Sequence, residues 1–297
     1  MIKICCEKTS HTLYEMVNNA LNILSLDLDV NIIGVDSVLS SPFNRSRMSE
    51  FTKKPFFLYV EEPKFINMPE LVSHKHFRGF ISHIKNTCEQ LYKNYNNKTY
   101  YLPLYMDKKD VDRVIDNISS LKNREHVNLI AWGSWNDVRD GNFYNRGGNA
   151  IDGLVSDLLQ RKCKIHLTFK TNKSLKCKSA FPNNVNIIND YLSKEQMDNM
   201  FYNADMFLLP SKQVHSMSLL YSMSFGLPCI VSDGWGMSEF CSDLNSILYT
   251  DIDQIVGIIN DRDSLMHLRK QVLFDLNNRY NQEDYVKRLF NILQEST

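Results

Sequence analysis

Two stretches of the chain carry residue types that suit binding of an anion. The first is LPSKQVHSMSLLYSMSFGLPCIVSDGWGMSEF, residues 209–240. An apolar run, Met206–Leu209, stops at Pro210 and Ser211, and a second run, Cys229–Ser232, opens after Pro228. Between them Ser216 is placed to cap a helix over Met217–Phe225, and Gly226 sits where a left-handed residue would close it. The free N–H groups and positive dipole end at Ser216, Met217 and Ser218 suit a phosphate, although any strand–helix–strand unit has a helix start here. The second stretch is GSWNDVRDGNFYNRGG, Gly133–Gly148, which also joins a strand to a helix. Its glycines let backbone come close to a phosphate, and Arg139 and Arg146 can grip one through a fork, where the plainer alternative is a long solvated loop. Two anion-suited loops in neighbouring units point to a nucleoside diphosphate.

The elements that position these loops follow from hydrophobic patterning. Apolar runs at Ile2–Cys6, Val30–Val35, Phe56–Val60, Gly79–Ser82 and Tyr100–Leu104 predict strands in the first part of the chain. Runs at Val127–Trp132, Ile165–Phe169, Val185–Ile188, Met206–Leu209 and Cys229–Ser232 predict strands in the second. Helical periodicity separates them. Leu13, Met16, Val17, Ala20, Leu21 and Leu24 share one face, and Ile151, Leu154, Val155 and Leu158 share another. Further helices are expected over His83–Tyr92 and Lys194–Tyr202. Unbroken apolar strands alternating with amphipathic helices predict an α/β fold with parallel sheets covered on both faces. A charged helical segment at 107–124 separates two such halves, so the expected domains are 1–120 and 121–297, with the last helix able to pack back on the first.

Ligands of open parallel sheets sit at the carboxyl ends of the strands. That rule selects Gly133, Ser134, Gly147, Lys170, Ile188, Ser211, Lys212 and His215 in the second half. In the first half it selects His11, Glu61, Glu62 and His83, which could orient or deprotonate a hydroxyl and which equally suit ordinary loop polar residues.

Composition narrows the partners. Lys+Arg and Asp+Glu are both 34, so no global basic footprint for nucleic acid or anionic membrane exists. Two local basic stretches, 43–54 and 73–85, could meet a phosphorylated acceptor or could be solvated faces. No signal peptide is expected from MIKICCEKTS, no run nears the ~20 apolar residues of a membrane span, and the scattered cysteines fit a reducing cytosol. The abundance of Lys, Asn and Ile suits an AT-rich bacterial or phage genome, so the expected location is a bacterial cytosol or that of a phage-infected host. No Cys/His zinc spacing appears, and Asp110 and Asp112 read as the solvated face of a charged helix; no metal and no cofactor is expected.

Residues 185–239 resemble the C-terminal half of GT-B glycosyltransferases, in particular the retaining family 4 type. Ala204–Asp205, Leu209–Pro210–Ser211, Met223, Gly226–Leu227–Pro228, Gly236 and Glu239 fall on that family's frame, and Arg146–Gly147 falls on its Lys-Gly. The resemblance covers roughly residues 125–245; over 1–120 it is architectural only. It implies two Rossmann-like domains with a cleft between them, a UDP- or GDP-sugar donor in the second domain and an acceptor hydroxyl in the first. It also implies retention of configuration and no metal. The family's two glutamates, eight residues apart, fall on Gln213 and Tyr221, which here lack the charge. In the family they contact the donor sugar and the ribose. Either donor recognition is altered or the chain binds without catalysis. A nucleotide-sugar epimerase is a further alternative. The expected catalytic residues are Arg146, Gln213 and His83, and the expected acceptor is a glycan, a lipid-linked glycan or lipopolysaccharide core, or a modified DNA base.

Overall fold

The structure is a computed structural model that describes residues 3–5, 11–25, 29–34, 48–61, 69–107, 109–132, 148–170, 182–211, 214 and 216–295. The chain forms two compact units, residues 1–105 with 280–297, and residues 106–279.

In the first unit five strands form one parallel sheet in sequence order. They are β1 Lys3–Cys5, β2 Asn31–Gly34, β3 Phe56–Tyr59, β4 Phe77–Ser82 and β5 Thr99–Tyr101. Every residue of β2 and β3 is buried, the signature of strands covered on both faces. The core gathers Ile33, Phe51, Phe56, Leu58, Val60, Leu71, Phe80 and Leu91. At Gly79 the register between β3 and β4 shifts, and the backbone takes φ +145°. A Cβ there would lie 2.6 Å from the Lys98 carbonyl oxygen, so only glycine lets the strands close at this point. The last helix, Gln282–Gln294, belongs to this unit and packs on helix His11–Leu24.

In the second unit six parallel strands run in the order β11-β10-β9-β6-β7-β8. They are β6 Val127–Trp132, β7 Ile165–Lys170, β8 Val185–Ile188, β9 Met206–Leu209, β10 Cys229–Val231 and β11 Ser246–Leu248. The chain walks outward from β6 to β8, returns to β9 beside β6, and walks outward the other way. The switch point between β6 and β9 is where open sheets of this kind take their ligands. One face is sealed by helix Gly148–Gln160 and helix Ile252–Asn260, which pack with Val127, Leu129, Ala131, Ile165, Leu167 and Phe169.

The division falls between Tyr105 and Met106, ahead of the 120/121 break read from the sequence. The reason is the helix Val111–Ser120, which packs on helix Arg262–Arg279 and whose Asn117 donates to the Tyr202 carbonyl, all within the second unit. Asp110 accepts from the Arg113 N–H and caps that helix, so this acidic pair starts a helix of the second unit.

Candidate functional site

The carboxyl edge of the second sheet is built from strand ends in direct register. Leu248 opposes Val231, Val231 opposes Leu209, Trp132 opposes Lys170, and Lys170 opposes Ile188. The exits of β9 and β10 are tied together. Ser232 Oγ donates to the carbonyl of Ser211, a buried residue, and the Val214 N–H donates to the Trp235 carbonyl at 2.8 Å. Gly236, at φ +76°, turns the chain into the short helix Met237–Phe240, which carries Glu239. The Glu239 carbonyl accepts from the Arg279 guanidinium.

Helix Ser216–Met223 starts at this edge, one residue ahead of the expected start, with Ser216, Met217 and Ser218 half-buried in its first turn. Its far end closes as expected. Gly226 takes φ +66°, its N–H donates to Met223 O at 2.9 Å and the Leu227 N–H to Ser222 O at 3.3 Å. Arg269, 1% exposed, locks this turn by donating to the Gly226 and Phe225 carbonyls at 3.0 and 3.1 Å. The same guanidinium reaches Asp205, 0% exposed, at 3.0 Å. Asp205 also accepts from Arg124 at 2.8 Å and from the Asn128 N–H at 2.8 Å. A buried charge cluster thus fastens the helix to β6 and β9.

Tyr221 stands one turn into this helix among Trp132, Phe201 and Phe225, at ring distances of 6.0, 4.8 and 5.2 Å. Its hydroxyl donates to Asp198 Oδ1. Lys109 Nζ lies 2.9 Å from the same oxygen and 4.7 Å from the Tyr221 ring centre. Burial, reinforced by Asp198, pushes the Tyr221 hydroxyl well above its ordinary pKa. Burial acts to raise the Asp198 carboxyl, but the bonds from Lys109 and Tyr221 outweigh it and hold the group below the usual range. The Tyr221 proton is therefore committed inside the unit. Neither Asp198 nor Lys109 is visible as a site residue in the sequence, because the three groups come from three separate elements with no shared spacing.

Lys170, the last residue of β7, is 2% exposed. Burial holds its ammonium below the ordinary lysine value, and the charge of Asp190 acts in the opposite direction. Ile188, at the end of β8, is half-buried. Beyond β10 and β11 a cavity of about 320 Å³ opens, lined by Ser232, Asp233, Ser238, Ser242, Asp251 and Gln254 among others. Gly133, Ser134, Arg139, Arg146, Gly147, Lys212, Gln213 and His215 lie outside the described residues, as do Glu62 and the side chain of His11.

In the first unit Glu61 and His83 follow β3 and β4 at the carboxyl edge. Glu61 is exposed, and its carbonyl accepts from Thr87 Oγ1 at 2.8 Å. His83 is 3% exposed, with Nδ1 2.7 Å from the Tyr59 hydroxyl and the two rings stacked at 5.9 Å. Burial lowers its pKa to about 4, so it is a neutral imidazole at pH 7. The basic stretch 73–85 does not form one patch. Lys75 and Arg78 lie at the amino edge of the sheet, before and at the start of β4, and Lys85 lies beyond its carboxyl end. Lys53 and Lys54 also lie at the amino edge, where Lys54 pairs with Asp29. Among the described residues no three His, Cys, Asp or Glu side chains are grouped to hold a metal ion, and no helix is long and apolar enough to cross a membrane.

No protein-family model matches the chain, and no curated protein matches it in sequence. Solved structures do. S. aureus TarM, crystallised with UDP, superposes with a TM-score of 0.64 at 12% identity, over 89% of this chain and 55% of that one. Anabaena HepE with UDP-glucose gives 0.61 at 9% identity, over 90% and 78%. The trehalose-6-phosphate synthase OtsA gives 0.60 at 11% identity, over 95% and 76%. The chain spans about half the length of TarM. The likeness shows the fold, which is the α/β architecture of the GT-B glycosyltransferases.

Proposed function

We propose that the chain is a glycosyltransferase that takes a UDP- or GDP-sugar at the carboxyl edge of its second unit and passes the sugar to an acceptor hydroxyl. The observation that carries this reading is that edge itself. A half-buried helix start at Ser216–Ser218 lies beside a topological switch point, and the far end of that helix is held by Gly226 and Arg269. Structures of the same fold with bound UDP or UDP-glucose support it.

In the proposed reaction the first unit binds the acceptor, with His83, Glu61, Glu62 and His11 as acceptor-side residues. Arg146, Gly147 and the helix start neutralise the leaving diphosphate, and Gln213 orients the sugar. The bond from the anomeric carbon to the diphosphate oxygen breaks as the bond to the acceptor oxygen forms on the same face. The acceptor proton passes to the departing phosphate oxygen, and configuration is retained. Charge neutralisation by arginine and backbone N–H groups serves without a metal. Glycans, lipid-linked glycans and modified DNA bases remain the acceptor classes for this reading.

Calorimetric titration with UDP, GDP, CDP and ADP tests the proposal. UDP or GDP should bind, and Arg146→Ala should weaken that binding by about tenfold or more, as loss of a charge-assisted phosphate contact does. Silence from all four nucleotides, or affinity unchanged in Arg146→Ala, sinks it. A second reading, binding without turnover, draws on the Tyr221 hydroxyl being committed to Asp198. Release of UDP or GDP from any sugar nucleotide refutes that reading.

A further inference from the structure

Two imidazoles meet at the amino ends of β6 and β7, the opposite end of the sheet from the strand exits described above. His126 directly precedes β6, and His166 is the second residue of β7. Ile165 and Leu167 pack into the core, so His166 between them points to the other face of the sheet. The register sets Asn128 opposite His166, and His126 lies two residues before Asn128 on the same face. The ring centres are 4.3 Å apart and the planes tilted by 41°. His166 is exposed and His126 half-buried, so the pair is open to solvent. Among the described residues no hydrogen bond engages either ring. The other close histidine pair, His74 and His76, differs on both counts. Its ring centres are 5.3 Å apart, the His76 N–H donates to His74 Nδ1 at 3.2 Å, and His76 Nδ1 lies 2.9 Å from the Thr52 carbonyl.

We propose that His126 and His166 form a two-imidazole site for a late first-row divalent ion of right-angle coordination, Ni(II) or Cu(II), which bridges β6 and β7. Neutral imidazole is a preferred ligand of these ions. The ring spacing selects among them. With metal–nitrogen bonds of about 2.0–2.1 Å and each ring centre about 1.1 Å behind its nitrogen, two rings at a right angle on one ion lie about 4.5 Å apart, and at the tetrahedral angle about 5 Å. The 4.3 Å spacing matches the right angle, the geometry of Ni(II) and Cu(II), better than the tetrahedron of zinc. Two protein ligands leave the remaining positions to water. Glu125 supplies negative charge nearby. Its carboxyl is held below the usual range by the bond and charge of Lys164 and, after these, by His126 and His166. Lys164, 3.1 Å from that carboxylate, offsets part of the charge. The six residues of β6 set the pair about 20 Å from the carboxyl edge, so the ion has no part in the sugar transfer proposed above.

Calorimetric titration of the tag-free chain with Ni(II) and Mg(II) tests the site. Ni(II) should bind and Mg(II), which prefers oxygen ligands, should not. His126→Ala and His166→Ala should each weaken Ni(II) binding by about tenfold or more, and His74→Ala should leave it within about threefold. Because the ion joins two strands, saturating Ni(II) should also raise the urea midpoint of the wild type, read by far-UV circular dichroism, and leave that of His126→Ala unmoved. Ni(II) affinity unchanged in both His126→Ala and His166→Ala overturns the proposal. So does an equal loss in His74→Ala, which would mean scattered surface imidazoles, and so does binding that leaves the wild-type midpoint where it was.

Discussion

Replacing Arg269 with methionine should destabilise the second unit by about 3–5 kcal/mol, the range for removing one partner of a buried ion pair. The structure supplies the terms. Arg269 and Asp205 are 1% and 0% exposed and 3.0 Å apart. Methionine fills most of the volume but leaves the Phe225 and Gly226 carbonyls and Asn117 Oδ1 without the donors they have at 3.1, 3.0 and 3.0 Å. Arg124 and the Asn128 N–H stay on Asp205, which keeps the loss below that of a wholly orphaned carboxylate. All three tryptophans, Trp132, Trp135 and Trp235, lie in the second unit, so tryptophan fluorescence during urea unfolding reports this unit directly. The exposed pair Arg161–Asp253 is the control, with side chains 48% and 88% exposed, and Arg161→Met should cost less than about 1 kcal/mol. Adding Asp205→Asn to Arg269→Met should change stability by less than the sum of the two single losses, because the pair is already broken and only the bonds from Arg124 and the Asn128 N–H remain to be lost. An Arg269→Met loss no larger than that of Arg161→Met would refute the view that the buried cluster fastens the Ser216 helix.

Three further outcomes follow from the same structure. His83 has a folded pKa of about 4 against 6.5 when free, so the unfolded chain binds more protons between these values; stability is full above about pH 6.5 and falls as pH drops towards 4, by on the order of 3 kcal/mol, and His83→Gln should flatten that part of the urea-denaturation pH profile. Tyr221→Phe should lower stability by about 1.5–3 kcal/mol, the worth of a hydrogen bond to a charged group, and leave nucleotide affinity within about threefold, whereas Tyr221→Glu sets a second carboxylate beside Asp198, costs more stability, and shifts nucleotide affinity in calorimetry. Burial pushes the Cys241 thiol up to about 12 and the Cys229 thiol higher still, so iodoacetamide at pH 8 should leave both unlabelled by mass spectrometry until urea opens the unit.

The strands were legible because buried parallel strands read as unbroken apolar runs; Val127–Trp132 and Met206–Leu209 match residue for residue. The expected strand Tyr100–Leu104 is shorter, Thr99–Tyr101, and Pro103, which has no N–H to give a neighbouring strand, lies just beyond it. Strand Ser246–Leu248 left no pattern, being three residues long at the edge of the sheet. The left-handed Gly226 was readable from local chemistry alone. The partners of Tyr221 were not, since Asp198 and Lys109 reach it only through the packing of three elements. The division between Tyr105 and Met106 has a related cause. Helix Val111–Ser120 is charged like a linker, but Asn117 and Arg113 bind it to Tyr202, Arg269 and Asn199.

Amide hydrogen exchange with and without saturating UDP or GDP tests the central claim most directly. The account predicts slowed exchange at Ser216–Leu220 and at the strand ends Trp132 and Lys170, with the first sheet's strands unchanged. Protection confined to residues 1–105, or none in the second unit while the nucleotide is bound, would contradict it.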